Sequence, residues 1–214
     1  MLRRVLLVTL LALVAVPIAA QGPAGWKVRP DEGNAQLTVM PTEKGFQLVG
    51  GPGIFFNPAN TVKPIYRVRA TFTQLKAPAK NTYYGLFIGG NQMDATPEYV
   101  YFAIAQDGSF IIRHRAGAKV DEMDKSLHYA IKKPDASGKA VNTLEVQVAP
   151  TAVSYLVNGA VVDATPTRAA IAGDSFTVTE KIGGIVGVRV DDPIDVQVDG
   201  FLFQSPFTLN DRGQ

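Results

Sequence analysis

The chain has 214 residues, of which 46% are apolar, 19% are charged and none is cysteine. Twenty-one lysines and arginines stand against nineteen acids, and two of those arginines lie in the first twenty residues, so the remainder is formally neutral. That balance excludes the basic footprint of nucleic-acid binding, and the missing cysteines exclude a disulfide framework, a thiolate metal site and a lipid-modified N-terminal cysteine.

Residues 1–20 have the layout of a secretory signal peptide. Arg3 and Arg4 give a basic start, Val5 to Val16 an apolar run, and Pro17 is followed by the small-residue end Ile18-Ala19-Ala20. The run is too short for a permanent anchor, since a spanning helix needs about 20 apolar residues. The expectation is an exported protein, periplasmic or extracellular, with no integral membrane segment once the signal is removed. The remaining 194 residues are enough for one domain without staples, burying roughly 70% of the unfolded surface. That domain is placed at 21–207, with 208–214 as a C-terminal tail that Phe207 and Leu209 help to pin.

Next come short apolar runs bounded by Gly, Pro, Asn and Asp. "YRVRATFTQL" and "YYGLFIGG" are separated by "KAPAKN". In "YVYFAIAQDGSFIIRHR", Asp107-Gly108 parts two runs of aromatic and branched residues, the grammar of a hairpin. Read as a two-residue turn, it pairs 105 with 110, 103 with 112 and 101 with 114. "KVDEMDKSLHYAIKK" is different: Val120, Met123, Leu127 and Ile131 fall at helical spacing, which suggests one short helix or an anchored loop. "NTLEVQV" alternates again. "YLVNGAVV" holds Asn158-Gly159, a pair able to take positive φ at both centres of a type I′ turn, and so predicts a second hairpin. "GIVGVRV" and "IDVQVDGFLF" close the series on either side of Asp191-Asp192-Pro193. Many strands at short intervals predict an all-β fold, a two-sheet antiparallel sandwich or jelly roll.

The ordered set "YYGLFIGG", "YVYFAIAQDGSFIIRHRAG", "NTLEVQVAPTAVSYLVNGAVV" and "GIVGVRVDDPIDVQVDGFLF" resembles the concanavalin A-like lectin/glucanase superfamily. Within it, the likeness is to laminin-G-like and 3-keto-disaccharide hydrolase-like domains of secreted bacterial proteins. The resemblance implies the sandwich and a carbohydrate-related role; it fixes no activity, because one fold hosts lectins, hydrolases and adhesive domains. Relatives that cleave keto-disaccharides carry an arginine soon after the strand matching "YYGLFIGG"; here Ile88-Gly89-Gly90 stand there, and no catalytic residue carries over. The glucanase signature Glu-x-Asp-x-x-Glu is met only by "EMDKSL", where Leu127 replaces the last acid and helical spacing would put Glu122 and Asp124 on different faces.

Asp195 and Asp199 flank Gln197 on the polar side of the last strand, two acids where calcium wants six or more oxygens, so they read as a solvent face. His114 and His128 are the only histidines, and neither a metal nor another cofactor is expected. Tyr99, Tyr101 and His114 are the candidate ligand-binding residues. The assumed turn puts them on one face beside Ala103 and Ala105, where tyrosine rings would offer plates to a sugar. The alternative is that the tyrosines fill the core, and on the assumed register Phe110 and Ile112 share their face. The leading expectation is an exported sandwich that binds a glycan or another envelope component without breaking it down. A carbohydrate-active enzyme and a structural or adhesive protein are the competing readings.

Overall fold

The computed structural model describes residues 23–31, 35–150, 152–166 and 182–206, so the expected signal peptide at 1–20 and the tail at 208–214 lie outside the described residues. Among the described residues, fourteen strands, labelled in chain order, form two antiparallel sheets of seven, and there is no helix. From edge to edge, sheet A runs β1 (Lys27–Pro30), β4 (Gly53–Val62), β13 (Gly184–Val190), β6 (Tyr84–Asn91), β7 (Glu98–Ile104), β8 (Ser109–Ala116) and β9 (Lys119–Leu127). Sheet B runs β12 (Ala160–Pro166), β11 (Ala152–Val157), β10 (Ala140–Val148), β5 (Tyr66–Gln74), β14 (Ile194–Gln204), β3 (Gly45–Gly51) and β2 (Gln36–Pro41).

The sheets pack face to face over one core. Val68, Ala70 and Phe72 of β5, Leu144 and Val146 of β10 and Val196 and Val198 of β14 meet Leu86, Val100, Phe102 and Val188 of sheet A. On β5 and β14 the period-2 alternation buries these residues and turns the polar ones outward. The middle of sheet A is different. Along β6 every residue but the last is buried, and along β7 every residue but the first. Strands covered on both faces read as continuous apolar runs, and "YYGLFIGG" and "YVYFAIA" are such runs.

The turn signals divide into two kinds. Asn158 and Gly159 take φ of 52° and 85°, as a type I′ turn requires, and join β11 to β12 as expected. Asn158 also accepts a hydrogen bond from the Thr143 amide at 2.9 Å and donates to the Ala130 carbonyl at 2.7 Å, tying the turn to the segment before β10. "KAPAKN" and Asp191-Asp192-Pro193, by contrast, carry the chain from one sheet to the other: β5 and β14 are in sheet B, β6 and β13 in sheet A.

Two local expectations are corrected. The segment 119–127 is an edge strand rather than a helix, leaving Val120 and Leu127 exposed while Met123 and Ile131 pack on the core. Pairing with β8 satisfies the inward-facing half of its backbone groups, which a short amphipathic spacing alone does not outweigh. A bulge shifts its register, so Arg113 lies opposite Glu122 and Ile112 opposite Asp124. The second correction concerns the loop at Asp107-Gly108. It has three residues, not two: the Ala105 amide donates to the Ser109 carbonyl, Gly108 takes φ of 87°, and the Asp107 carboxylate accepts from the Ser109 amide at 2.9 Å. This is the three-residue hairpin loop closed by a left-handed residue. The extra residue pairs 104 with 110, 101 with 113 and 100 with 114. Shifting a register by one flips every side chain of the second strand to the other face.

Candidate functional site

The flip decides which side chains share the outer face of sheet A. Tyr99 and Tyr101 project there together, as expected, but His114 does not. It lies opposite Val100 on the other side of the sheet, 3.2 Å from the Glu98 carboxylate. Phe110 and Ile112 likewise move to the inter-sheet core, while Arg113, Arg115 and Ile111 take their places beside the tyrosines.

The two tyrosines are buried to the same degree, each 2% exposed. They belong to neither expected setting, since they lie outside the inter-sheet core and yet are covered. With Ile54, Phe56, Phe87 and Met93 they form a second apolar cluster on the outer face. Phe87 and Tyr99 ring centres are 5.0 Å apart, and Tyr99 and Tyr101 centres 5.9 Å, separations that favour edge and offset contacts. Gly187 makes room for this row: a Cβ there would stand 2.5 Å from the Phe87 ring and 2.6 Å from the Phe55 carbonyl. The loop 91–97 folds against the cluster through Met93, and Arg29 of β1 holds that loop by donating to the carbonyls of Met93 and Ala95.

Over the tyrosines runs a chain of alternating charges. Arg115 donates to Asp31 at 2.6 Å, and Arg189 donates through both terminal nitrogens to the same carboxylate. The Arg189 Nε donates to Asp191 at 2.7 Å, Asp191 accepts in turn from Arg113 at 3.3 Å, and Arg113 reaches Glu122 at 2.9 Å. The order is thus Arg115, Asp31, Arg189, Asp191, Arg113, Glu122, three charges of each sign. The hydroxyls belong to the same network: Tyr99 accepts from Arg189 at 3.3 Å, and Tyr101 donates to Asp191 at 3.2 Å. The Arg189 guanidinium also lies 5.5 Å from the centre of the Tyr101 ring, within cation–π range.

The site's titration behaviour follows from this packing. Burial alone would raise the Asp31 carboxyl, but its hydrogen bonds and charge contacts with Arg189 and Arg115 outweigh that and hold it below the ordinary 3.8. Arg189 is pushed further up, the bonds to Asp31 overcoming its burial. Burial, followed by the Asp191 charge, pushes Tyr101 up to about 12, so its hydroxyl stays protonated as a donor. Asp31 therefore acts as a fixed acceptor.

Beside this network a pocket of about 230 Å³ opens between the 91–97 loop, β1 and the β8–β9 turn, lined by Arg29, Asp31, Ile54, Thr96, Tyr99 and Arg115 among others. Tyr99 alone of the three sequence candidates reaches it. The arginines and Asp31 were missed by sequence reasoning, although a signal for them exists: Arg113 and Arg115 sit two apart and share a face, and Arg189 is the lone charge inside "GIVGVRV". The other acidic candidates resolve as solvent-face pairs, Asp195 with Gln47 at 2.5 Å and Asp199 with Gln197 at 2.9 Å. No group of three or more potential metal ligands occurs among the described residues.

No family model matches the sequence, and no curated protein does so significantly. Among solved structures, the chain is similar to the carbohydrate-binding module CBM66 from Bacillus subtilis, with a TM-score of 0.58, 10% identity, and coverage of 85% of this chain and 96% of that one. It is also similar to a protein of unknown function with a galectin-like fold from Bacillus subtilis, with a TM-score of 0.60, 13% identity, and coverage of 84% and 88%. The likeness is one of fold: a galectin-like jelly-roll sandwich, in keeping with the concanavalin A-like expectation.

Proposed function

We propose that the protein is an exported carbohydrate-binding sandwich whose site is the pocket on the outer face of sheet A. The observation that carries the reading is the pocket itself, where planar polar groups on rigid strands stand beside a tyrosine ring. Fixed polar side chains of this kind take sugar hydroxyls, while Tyr99, 2% exposed, lines the recess without presenting an open ring face. The volume is below the roughly 300–1,000 Å³ of sites that enclose drug-sized ligands. It suits one sugar ring or a chain end rather than a run of several rings. The shared sandwich with a carbohydrate-binding module supports the reading at the level of fold only. A narrower kinship with laminin-G-like or 3-keto-disaccharide hydrolase-like domains belongs to the same proposal and rests on the ordered strand motifs.

Binding without cleavage is favoured over hydrolysis by the state of the acids. A glycosidase needs one carboxyl raised to act as general acid. Asp31, the carboxyl that lines the pocket, is instead held low by two arginines. Retention of the mature protein on a panel of polysaccharides and a glycan array tests the reading, and failure to bind any glycan would end it. Export is tested separately by N-terminal sequencing, with Gln21 expected as the first residue; an intact Met1 on protein recovered from the cytoplasm would refute it.

A further inference from the structure

Resting on that reading, we infer that the pocket takes an acidic sugar, a uronic acid whose carboxylate is received by Arg29. The argument starts from hydrogen-bonding capacity. Asp31, the acidic side chain that lines the pocket, has about three of its four acceptor positions taken: Oδ1 accepts from Arg189, and Oδ2 from both Arg189 and Arg115. The donors are not spent. Arg115 uses Nε on the Gly117 carbonyl and Nη1 on Asp31, leaving Nη2. Arg29 uses one hydrogen of each terminal nitrogen on main-chain carbonyls, leaving Nε and the second hydrogen of each, and Thr96 lines the same wall. The lining therefore holds more open donors than charged acceptors, which favours a ligand that brings acceptors.

Charge points the same way. The six-membered chain from Arg115 to Glu122 is balanced, and the neighbouring Lys27 and Asp94 pair with each other at 3.2 Å. Arg29 is left over, a cation whose contacts among the described residues are two neutral carbonyls. A partly buried guanidinium with no counter-charge among the described residues is matched by a carboxylate, whose two oxygens fit its planar donors. A neutral hexose would leave that charge uncompensated.

The test is calorimetric titration of the mature protein with glucuronic, galacturonic and mannuronic acids, each beside its neutral hexose, and with acetate and lactate. The expected result is at least a tenfold preference for one uronic acid over its hexose, weakened between 150 and 500 mM salt. Arg29→Gln should abolish that preference, and Arg29→Lys should keep part of it. The wild-type comparison decides the question even if Arg29→Gln folds poorly. Equal affinity for acid and hexose would overturn the acidic-sugar inference and leave the sugar-binding reading standing. Acetate or lactate binding as tightly as the uronic acids would overturn the sugar-binding reading instead. Silence of the whole panel would overturn the uronic-acid assignment, and the polysaccharide and array results then decide the broader reading on their own.

Discussion

The two outer faces of the sandwich solve the same problem in opposite ways. Sheet B shows water a conventional surface of partly exposed polar residues: Arg67, Arg69, Thr71 and Thr73 along β5, with Thr71 and Thr143 sharing a hydroxyl hydrogen bond at 2.9 Å across strands. Sheet A covers its outer face with rings and ion pairs. Tyr99 and Tyr101 are 2% exposed, and Arg189 is 4% exposed. A buried guanidinium is costly unless its partners are fixed, so such a network holds one arrangement while a solvated surface tolerates many. The difference marks sheet A as the face that keeps polar groups in set positions, as the proposed binding site requires.

The sharpest way to break this comparison is to remove one arginine from each face. Arg189→Met should cost about 3–5 kcal/mol, since it strips the shared partner from two carboxylates held away from water. Arg69→Met, at an exposed position on β5, should stay within about 0.5 kcal/mol. Denaturant unfolding of the two variants measures both, and similar losses would show that the faces do not differ in kind.

A smaller effect separates packing from the hydroxyl network. Tyr101→Ala should open a cavity costing about 3 kcal/mol, whereas Tyr101→Phe keeps the ring and loses the hydroxyl's contacts with Asp191 and Arg113, about 1.5 kcal/mol. Because Tyr101 does not line the pocket, neither change should alter ligand affinity much in protein that remains folded. A large loss of affinity in Tyr101→Phe at unchanged stability would instead place that hydroxyl in contact with ligand.

Acid and neutral pH sharpen the comparison with opposite signs. Asp31 is depressed in the folded state, so its contribution is present above the ordinary 3.8 and disappears as pH falls through its lower folded value. Asp163, on β12 at the edge of sheet B, is raised by burial and then by the Asp124 charge, so its contribution is unfavourable once pH rises through its folded value. Thermal unfolding from pH 6 to pH 3 should therefore show a flatter profile for Asp31→Asn than for the parent. Asp163→Asn should melt at or slightly above the parent temperature at pH 7. A lower melting temperature there would mean that Asp163 is a favourable partner.

The smallest expected effect is Thr143→Val. It removes a hydroxyl pair on the solvated face of sheet B and should change stability by no more than about 0.5 kcal/mol. A loss of several kcal/mol would mean that this face, too, depends on fixed polar contacts.

Strands and turns were legible because they are local. Alternation in "NTLEVQV" and the positive φ available to Asn158-Gly159 belong to residues close in sequence, and they led to the right hairpin. The same local rules could not tell a hairpin turn from a crossing between sheets, because "KAPAKN" and Asp191-Asp192-Pro193 carry the same residue types as true hairpin loops. Nor could they fix the loop at Asp107-Gly108, where one extra residue sent His114 to one side and Arg113 and Arg115 to the other. The segment 119–127 misled for a related reason, since its spacing fits a helix while its backbone pairs with β8.

The candidate site was hardly legible at all. Its members come from β1 and the residue after it, from β4, the 91–97 loop, β7, β8 and β9, and from β13 and the residue after it, so Asp31 and Arg189 meet across a sequence separation of 158. By itself the sequence determined the sandwich class, the second hairpin and the pairing of Tyr99 with Tyr101 on one face, since each follows from the two-residue period of a strand. Only the tertiary structure decided that those tyrosines lie outside the main core beneath a chain of ion pairs. Strand order and register bring distant charges within hydrogen-bonding reach, and no local period records which strands become neighbours.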